Sequence, residues 1–180
     1  MNRADLPFPG RIVFRLGTAS DYRRLARFHY TQGAPASFAL TAAIDYLPSP
    51  LTRQLIAVGV LSNPPLSCHI RRQALRLGLV PDVWRWAYLN RHLRTISRVI
   101  VHPQFRGIGL AVAMVRFLLS QSPTRYTEAI SRLATHHPLF AKAGMHGLCL
   151  GGQETPAYYL FDRLDVAKTV QHPDLAVLTL

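Results

Sequence analysis

RTISRVIVHPQFRGIGLAVAMVRFLL, residues 94–119, changes its period in the middle. Ile96 to Val101 is rich in β-branched residues and reads as a strand. Pro103 cannot donate to a sheet ladder and ends it. From Ile108 the apolar residues recur at Ala111, Val112, Val115 and Leu119, which is helical spacing. Strand and helix are joined by Gln104-Phe-Arg106-Gly107-Ile-Gly109.

Such a turn suits an anion. The first amides of a helix have no partner within it, and the macrodipole favours negative charge beside them. Glycines let a ligand approach the backbone and permit positive φ. Arg106 adds a cationic fork. Together these features predict a phosphate or pyrophosphate site.

Val101-x-Pro103-x-x-Arg106-Gly107-x-Gly109-x-Ala111, between a strand and a helix, resembles motif A of the GNAT superfamily of N-acetyltransferases. The family pattern, Arg/Gln-x-x-Gly-x-Gly/Ala, falls on Arg106, Gly109 and Ala111. The resemblance implies an α/β fold with a single GNAT-type domain over residues 1–180. Its mixed, mostly antiparallel sheet is flanked by helices and splayed between strands four and five. It also implies acetyl-CoA, or another acyl-CoA, as cofactor. Arg106, Gly107, Ile108, Gly109, Leu110 and Ala111 would hold the pyrophosphate, and the backbone of Val99, Ile100 and Val101 the thioester. A dinucleotide fold fits less well, because Gly-x-Gly-x-x-Gly is missing.

Charge points to a further partner. The chain of 180 residues has 21 basic and 9 acidic residues, a net charge of +12. Between Tyr46 and Thr127 there are eleven Arg residues and a single acid, Asp82. Such a field attracts polyanions, and nucleic acid is the expected extra partner. Arginine-favouring codon usage is the alternative explanation. Nearly half of the residues are apolar, enough for a globular core. No run reaches the ~18 apolar residues of a membrane span, and the N-terminus lacks a signal-peptide core. Two cysteines, Cys68 and Cys149, make no disulfide framework, so a reducing cytoplasm is the expected compartment.

Further elements follow in order. Arg11–Gly17 is expected as strand one, Tyr22–Tyr30 as helix one, Phe38–Leu47 as strand two and Gln54–Leu61 as a central, apolar strand three. Tyr126–Ala134 is expected as strand five, and 148–151 and 157–163 as the closing strands. About 65–94 reads as an insertion into the family layout, and about 165–180 as a C-terminal tail. The insertion mixes Arg71, Arg72, Arg76 and Arg91 with Trp84, Trp86 and Tyr88. Arginines and aromatics of this kind can hold phosphates and stack bases. The simpler expectation for the two tryptophans is a helical flap whose indoles fill the core.

Acyl transfer needs a neutral amine and a stabilised oxyanion. Glu128 is the only acid between Asp82 and Glu154, and the resemblance puts it beside the cleft. It is the expected proton acceptor, unless it pairs with Arg98 or Arg125. His29, Tyr30, Ser97 and Asp45 are the other candidates. Phe140 stands where many family members have a Tyr that protonates the departing thiolate, so that acid is missing. His136-His137 has no nearby carboxylate or cysteine and predicts no metal. Leu93–Val99, Tyr126–Ala129 and Phe140–Met145 are similar to GNAT-like domains associated with ABC-type ATPases. Ile96-Ser97-Arg98 and His29-Tyr30 resemble Mom-type phage proteins that modify adenine in DNA. There is no Walker A sequence, so the chain is not itself expected to be an ATPase. The expected activity is CoA-dependent N-acyltransfer to an amine, one on a modified DNA base being the most specific reading. The alternatives are acetylation of a small amine or protein, and a non-catalytic nucleic-acid-binding module.

Overall fold

The apolar residues of Thr52–Ser62 run without alternation, as a strand covered on both faces requires. This strand, β3, lies inside a sheet of seven in the computed structural model, which describes residues 9–30, 33–75, 82–132, 137–149 and 156–164. The others are β1 (Arg11–Leu16), β2 (Leu40–Ser49), β4 (Leu93–Val101), β5 (Tyr126–Ser131), β6 (His146–Cys149) and β7 (Ala157–Asp162). Their order is β1-β2-β3-β4-β5-β7-β6, with β4 and β5 parallel and the remaining pairs antiparallel. This is the mixed, mostly antiparallel sheet expected from the sequence.

Contacts divide the chain into two units, at Ser62/Asn63, Thr95/Ile96 and Gln121/Ser122. The first holds β1–β3, most of β4 and two helices, α1 (Ala19–Leu25) and α4 (Leu110–Gln121). Thr18 caps α1 in a reciprocal capping box with Asp21. Arg15 of β1 grips the same Asp21 through two bonds of 2.9 Å and reaches Asp45 of β2 at 2.6 Å. The guanidinium holds the Asp21 carboxyl down to about 2. Tyr22 and Leu25 of α1 pack with Ala43, Leu55, Val58, Val60 and Ile100.

Helix α4 has the expected helical spacing. Leu110, Met114, Val115, Leu118 and Leu119 are buried, whereas Ala111 and Val112 are half-buried. The reason is the partner strand. A Cβ on Gly59 of β3 would stand 2.7 Å from Leu118 Cδ1 and 2.9 Å from Met114 Cγ and Sδ. The missing side chain at Gly59 is what lets α4 lie so close to β3.

In the second unit, α2 (His69–Ala74) and α3 (Asp82–His92) come from the expected insertion. They are part of the core rather than a flap. Ile70 and Leu89 pack with Leu75, Leu93, Tyr126, Tyr158 and Leu160. The expectation that the tryptophans fill this core is corrected: Trp84 is 73 % exposed and Trp86 38 %. Leu89, with Tyr88 half-buried beside it, takes the inward face of α3 instead. A short helix, α5 (Leu139–Lys142), precedes β6. The expected tail from 165 and His136 lie outside the described residues. Among the described residues, no helix is long and apolar enough to cross a membrane.

Filling the gap at Gly59 tests the packing. Gly59→Val should destabilise the protein by about 1–3 kcal/mol, because the buried Leu118 and Met114 must move. Urea unfolding measures it, and an unchanged midpoint would contradict the close approach.

Candidate functional site

The candidate site begins where β4 ends. His102 donates its amide to Ile56 O at 2.8 Å, and Pro103–Phe105 forms one 3₁₀ turn. Phe105 is buried, its ring 5.5 Å from Tyr46. Gly107 and Gly109 then both take φ of +85°, a region other residues enter at a cost. Two left-handed residues reverse the chain so that α4 starts at Leu110. Ala113 N–H donates to Gly109 O at 3.1 Å, closing the first turn.

What lies over this turn is open space. A Cβ at Gly107 or Gly109 would meet no atom within 4 Å. The glycines therefore answer to backbone conformation and not to crowding by the protein. Among the described residues no backbone carbonyl accepts from the amides of 107–112. The result is a run of N–H groups without backbone acceptors at the positive end of a twelve-residue helix. That arrangement is chemically suited to a pyrophosphate.

Arg106 is placed otherwise than expected. Its Nε donates to Val101 O at 3.1 Å and Nη2 to Phe28 O at 3.2 Å. The side chain thus braces the turn against the end of helix one, and its charge, not a free fork, faces any anion. The His102 ring packs edge-on against Phe28 at 4.9 Å, on the same side of that brace.

Three other candidates belong to this first unit. His29 follows the 3₁₀ turn Ala26–Phe28 and stacks on Tyr30 at 4.6 Å; Tyr30 is 67 % exposed. Ser97 of β4 is half-buried, its Oγ 2.7 Å from Ser62 Oγ. Ser62 donates to Ser37 O at 2.6 Å, and Ser97 Oγ donates to Val60 O at 3.3 Å. The Ser97 hydroxyl is thus engaged by Ser62 Oγ and Val60 O. Arg98 donates to Gly33 O at 3.3 Å, which also accepts from Tyr22 OH at 3.1 Å. Val99 is half-buried; Ile100 and Val101 are buried.

Glu128 lies in the second unit and its expected role is corrected. It is fully buried in β5. Arg71 donates to it twice, from Nε at 2.7 Å and Nη2 at 2.6 Å. Thr95 Oγ1 donates at 2.5 Å and Tyr158 OH at 2.9 Å. Each carboxylate oxygen thus has two donors. A carboxylate so engaged, and shut off from water, cannot collect a proton from a substrate without breaking a buried ion pair. Burial alone would lower the Arg71 guanidinium; the Glu128 carboxylate outweighs it and keeps Arg71 charged. Burial, then Glu128, push the Tyr158 hydroxyl well above its ordinary range. Burial pushes the Cys68 thiol up as well.

The same pair corrects Arg71 as a nucleic-acid contact, for it is 1 % exposed. Arg72, Arg91 and Trp84 are exposed, and Arg76 lies outside the described residues. Arg98 and Arg125, the partners considered for Glu128, are engaged elsewhere; Arg125 pairs with Asp162 at 2.9 Å. Phe140 is buried with its ring 5.5 Å from Tyr159. Thr95 and Tyr158 escaped the sequence reading. A signal existed: Tyr126, Glu128 and Ile130 alternate on one strand face, and an acid between apolar residues at that period points inward.

Comparison with known proteins adds the fold. No protein-family profile matches the chain, and no curated protein matches it. Among solved structures, Arabidopsis thaliana NAA60 in complex with acetyl-CoA is 17 % identical with a TM-score of 0.55, over 84 % of this chain and 98 % of its own. An agmatine N-acetyltransferase variant in its apo form is 9 % identical (TM-score 0.49, covering 84 % and 99 %). A GNAT-family acetyltransferase from Listeria monocytogenes is 13 % identical (TM-score 0.47, covering 84 % and 94 %). The likeness to NAA60 shows a shared fold, the GNAT-type arrangement that motif A implied.

The buried pair has a direct test. Glu128→Gln leaves the Arg71 charge buried without its partner and should cost about 3–5 kcal/mol in urea unfolding. Unchanged stability would contradict the assigned structural role and reopen a catalytic one.

Proposed function

We propose that the chain is an acyl-CoA-dependent N-acyltransferase with acetyl-CoA as donor. The observation that carries this is the open turn at the start of α4, with two left-handed glycines and a run of amides without acceptors. The fold shared with NAA60, which was solved with acetyl-CoA, supports it. The amides of Gly107, Ile108, Gly109, Leu110 and Ala111 hold the pyrophosphate, with the Arg106 charge beside them. Main-chain N–H groups in Val99–Val101 take the thioester carbonyl and the negative charge that develops on its oxygen.

The amine nitrogen attacks the thioester carbon, an N–C bond forms and the C–S bond breaks. Ser97, whose hydroxyl is held by Ser62 Oγ and Val60 O, accepts a hydrogen bond from the amine N–H and orients its lone pair. The amine proton passes to His29 or to water, since Glu128 is sequestered. The sulfur leaves as a thiolate. With a thiol pKa of about 8.5 it needs no acid in the place of Phe140.

The acceptor amine is carried on nucleic acid, on a modified base of DNA. Of the eleven Arg set against one acid over Tyr46–Thr127, Arg71 is buried against Glu128 and Arg125 pairs with Asp162; the exposed ones, Arg72 and Arg91 among them, support this reading. Acetylation of a free small amine, with no affinity for DNA or RNA at low salt, is the result that would replace it.

Gly109→Glu tests the donor site, since it sets a carboxylate against the phosphates and strains a left-handed backbone. Calorimetry should show acetyl-CoA binding abolished, with circular dichroism unchanged. Gly109→Ala carries the strain without the charge and should weaken binding far less. Full affinity in Gly109→Glu would remove this reading.

A further inference from the structure

The outward face of α3 serves neither the core nor the donor turn. At 100° per residue, Leu89 and the half-buried Arg85, Tyr88 and His92 mark the inward side. The opposite side is centred on Ala87, Asn90 and Arg91, all exposed. Trp84 and Trp86, two positions apart, stand on opposite flanks of that ridge, 73 % and 38 % exposed.

We propose that this face binds single-stranded nucleic acid, with indoles stacking on bases on either flank and Arg91, on the Trp84 flank about two turns further along the helix, holding phosphate. The proposal rests on the reading of the acceptor as nucleic acid. Three features select this occupant. The surroundings are cationic: Arg91 sits on this face, Arg72 is exposed on α2, which packs on the same core, and Asp82 is the only acid between Tyr46 and Thr127. Small Ala87 leaves the ridge low, so a backbone can cross close to the helix. Indoles need open base faces, which a duplex does not offer. A bilayer surface fits poorly, because an interfacial helix puts large apolar residues at the centre of the outward face and here that centre holds Ala87 and Asn90, with Arg91 beside them.

Titrating the full chain with an oligothymidylate of about twelve nucleotides at low salt, read by tryptophan fluorescence, tests this. Expected is saturable quenching that weakens as salt rises. Trp84→Ala should lower affinity roughly tenfold, Arg91→Gln should lower it and flatten the salt slope, and helical content should stay unchanged. Acetyl-CoA calorimetry on the same variants should match the unaltered protein. The proposal is overturned by absence of quenching at low salt, by affinity indifferent to both substitutions, by equal preference for duplex, or by quenching with anionic phospholipid vesicles alone. If the oligonucleotide binds at this face while acetyl-CoA does not bind the protein, the acyltransferase reading fails and this surface stands.

Discussion

Two left-handed glycines, Gly107 and Gly109, on either side of Ile108 are the constraint on which the candidate site depends. They convert an outgoing strand into an incoming helix within a few residues and leave the amides there without backbone acceptors among the described residues. Everything around the turn serves to hold it. Phe105 anchors it below, Arg106 ties it to Val101 and Phe28, and α4 is seated on β3 by the missing side chain at Gly59. Rigid support of this kind spares a ligand the cost of ordering the loop.

Charge has been divided between two tasks. Arg71 is spent inside the second unit, where it neutralises Glu128 and lets a strand carry a buried acid among Tyr126, Leu160 and Tyr158. Arg15 does comparable work in the first unit, joining Asp21 and Asp45. Such pairs contribute more to a unique arrangement than to net stability, since desolvation offsets much of their attraction. Arg72 and Arg91 stay at the surface and shape the field seen by an anionic partner.

The turn was legible in the sequence because its signal is local: a β-branched run, a proline, two glycines and a helical period occur within 26 residues, 94–119. The strands were legible for the same reason, with shifts of a few residues at their ends. The roles of Arg71 and Glu128 were not. They are 57 positions apart, and nothing in the Arg71-Arg72 doublet says which guanidinium turns inward. The tryptophans misled because hydrophobicity predicts burial only on average, and the inward face of α3 was already filled by Leu89 and Tyr88. The helical spacing of α4 was legible, but its close seat on β3 was not, because Gly59 lies on a strand far away in sequence.

The most direct test of the central claim is the amide response of the turn itself. In a ¹⁵N-labelled protein titrated with acetyl-CoA, the largest shift changes should fall on the amides of Gly107 through Val112, where N–H groups without acceptors gain phosphate oxygens. Saturation with these amides unmoved, or with the shifts gathered on other elements, would contradict it.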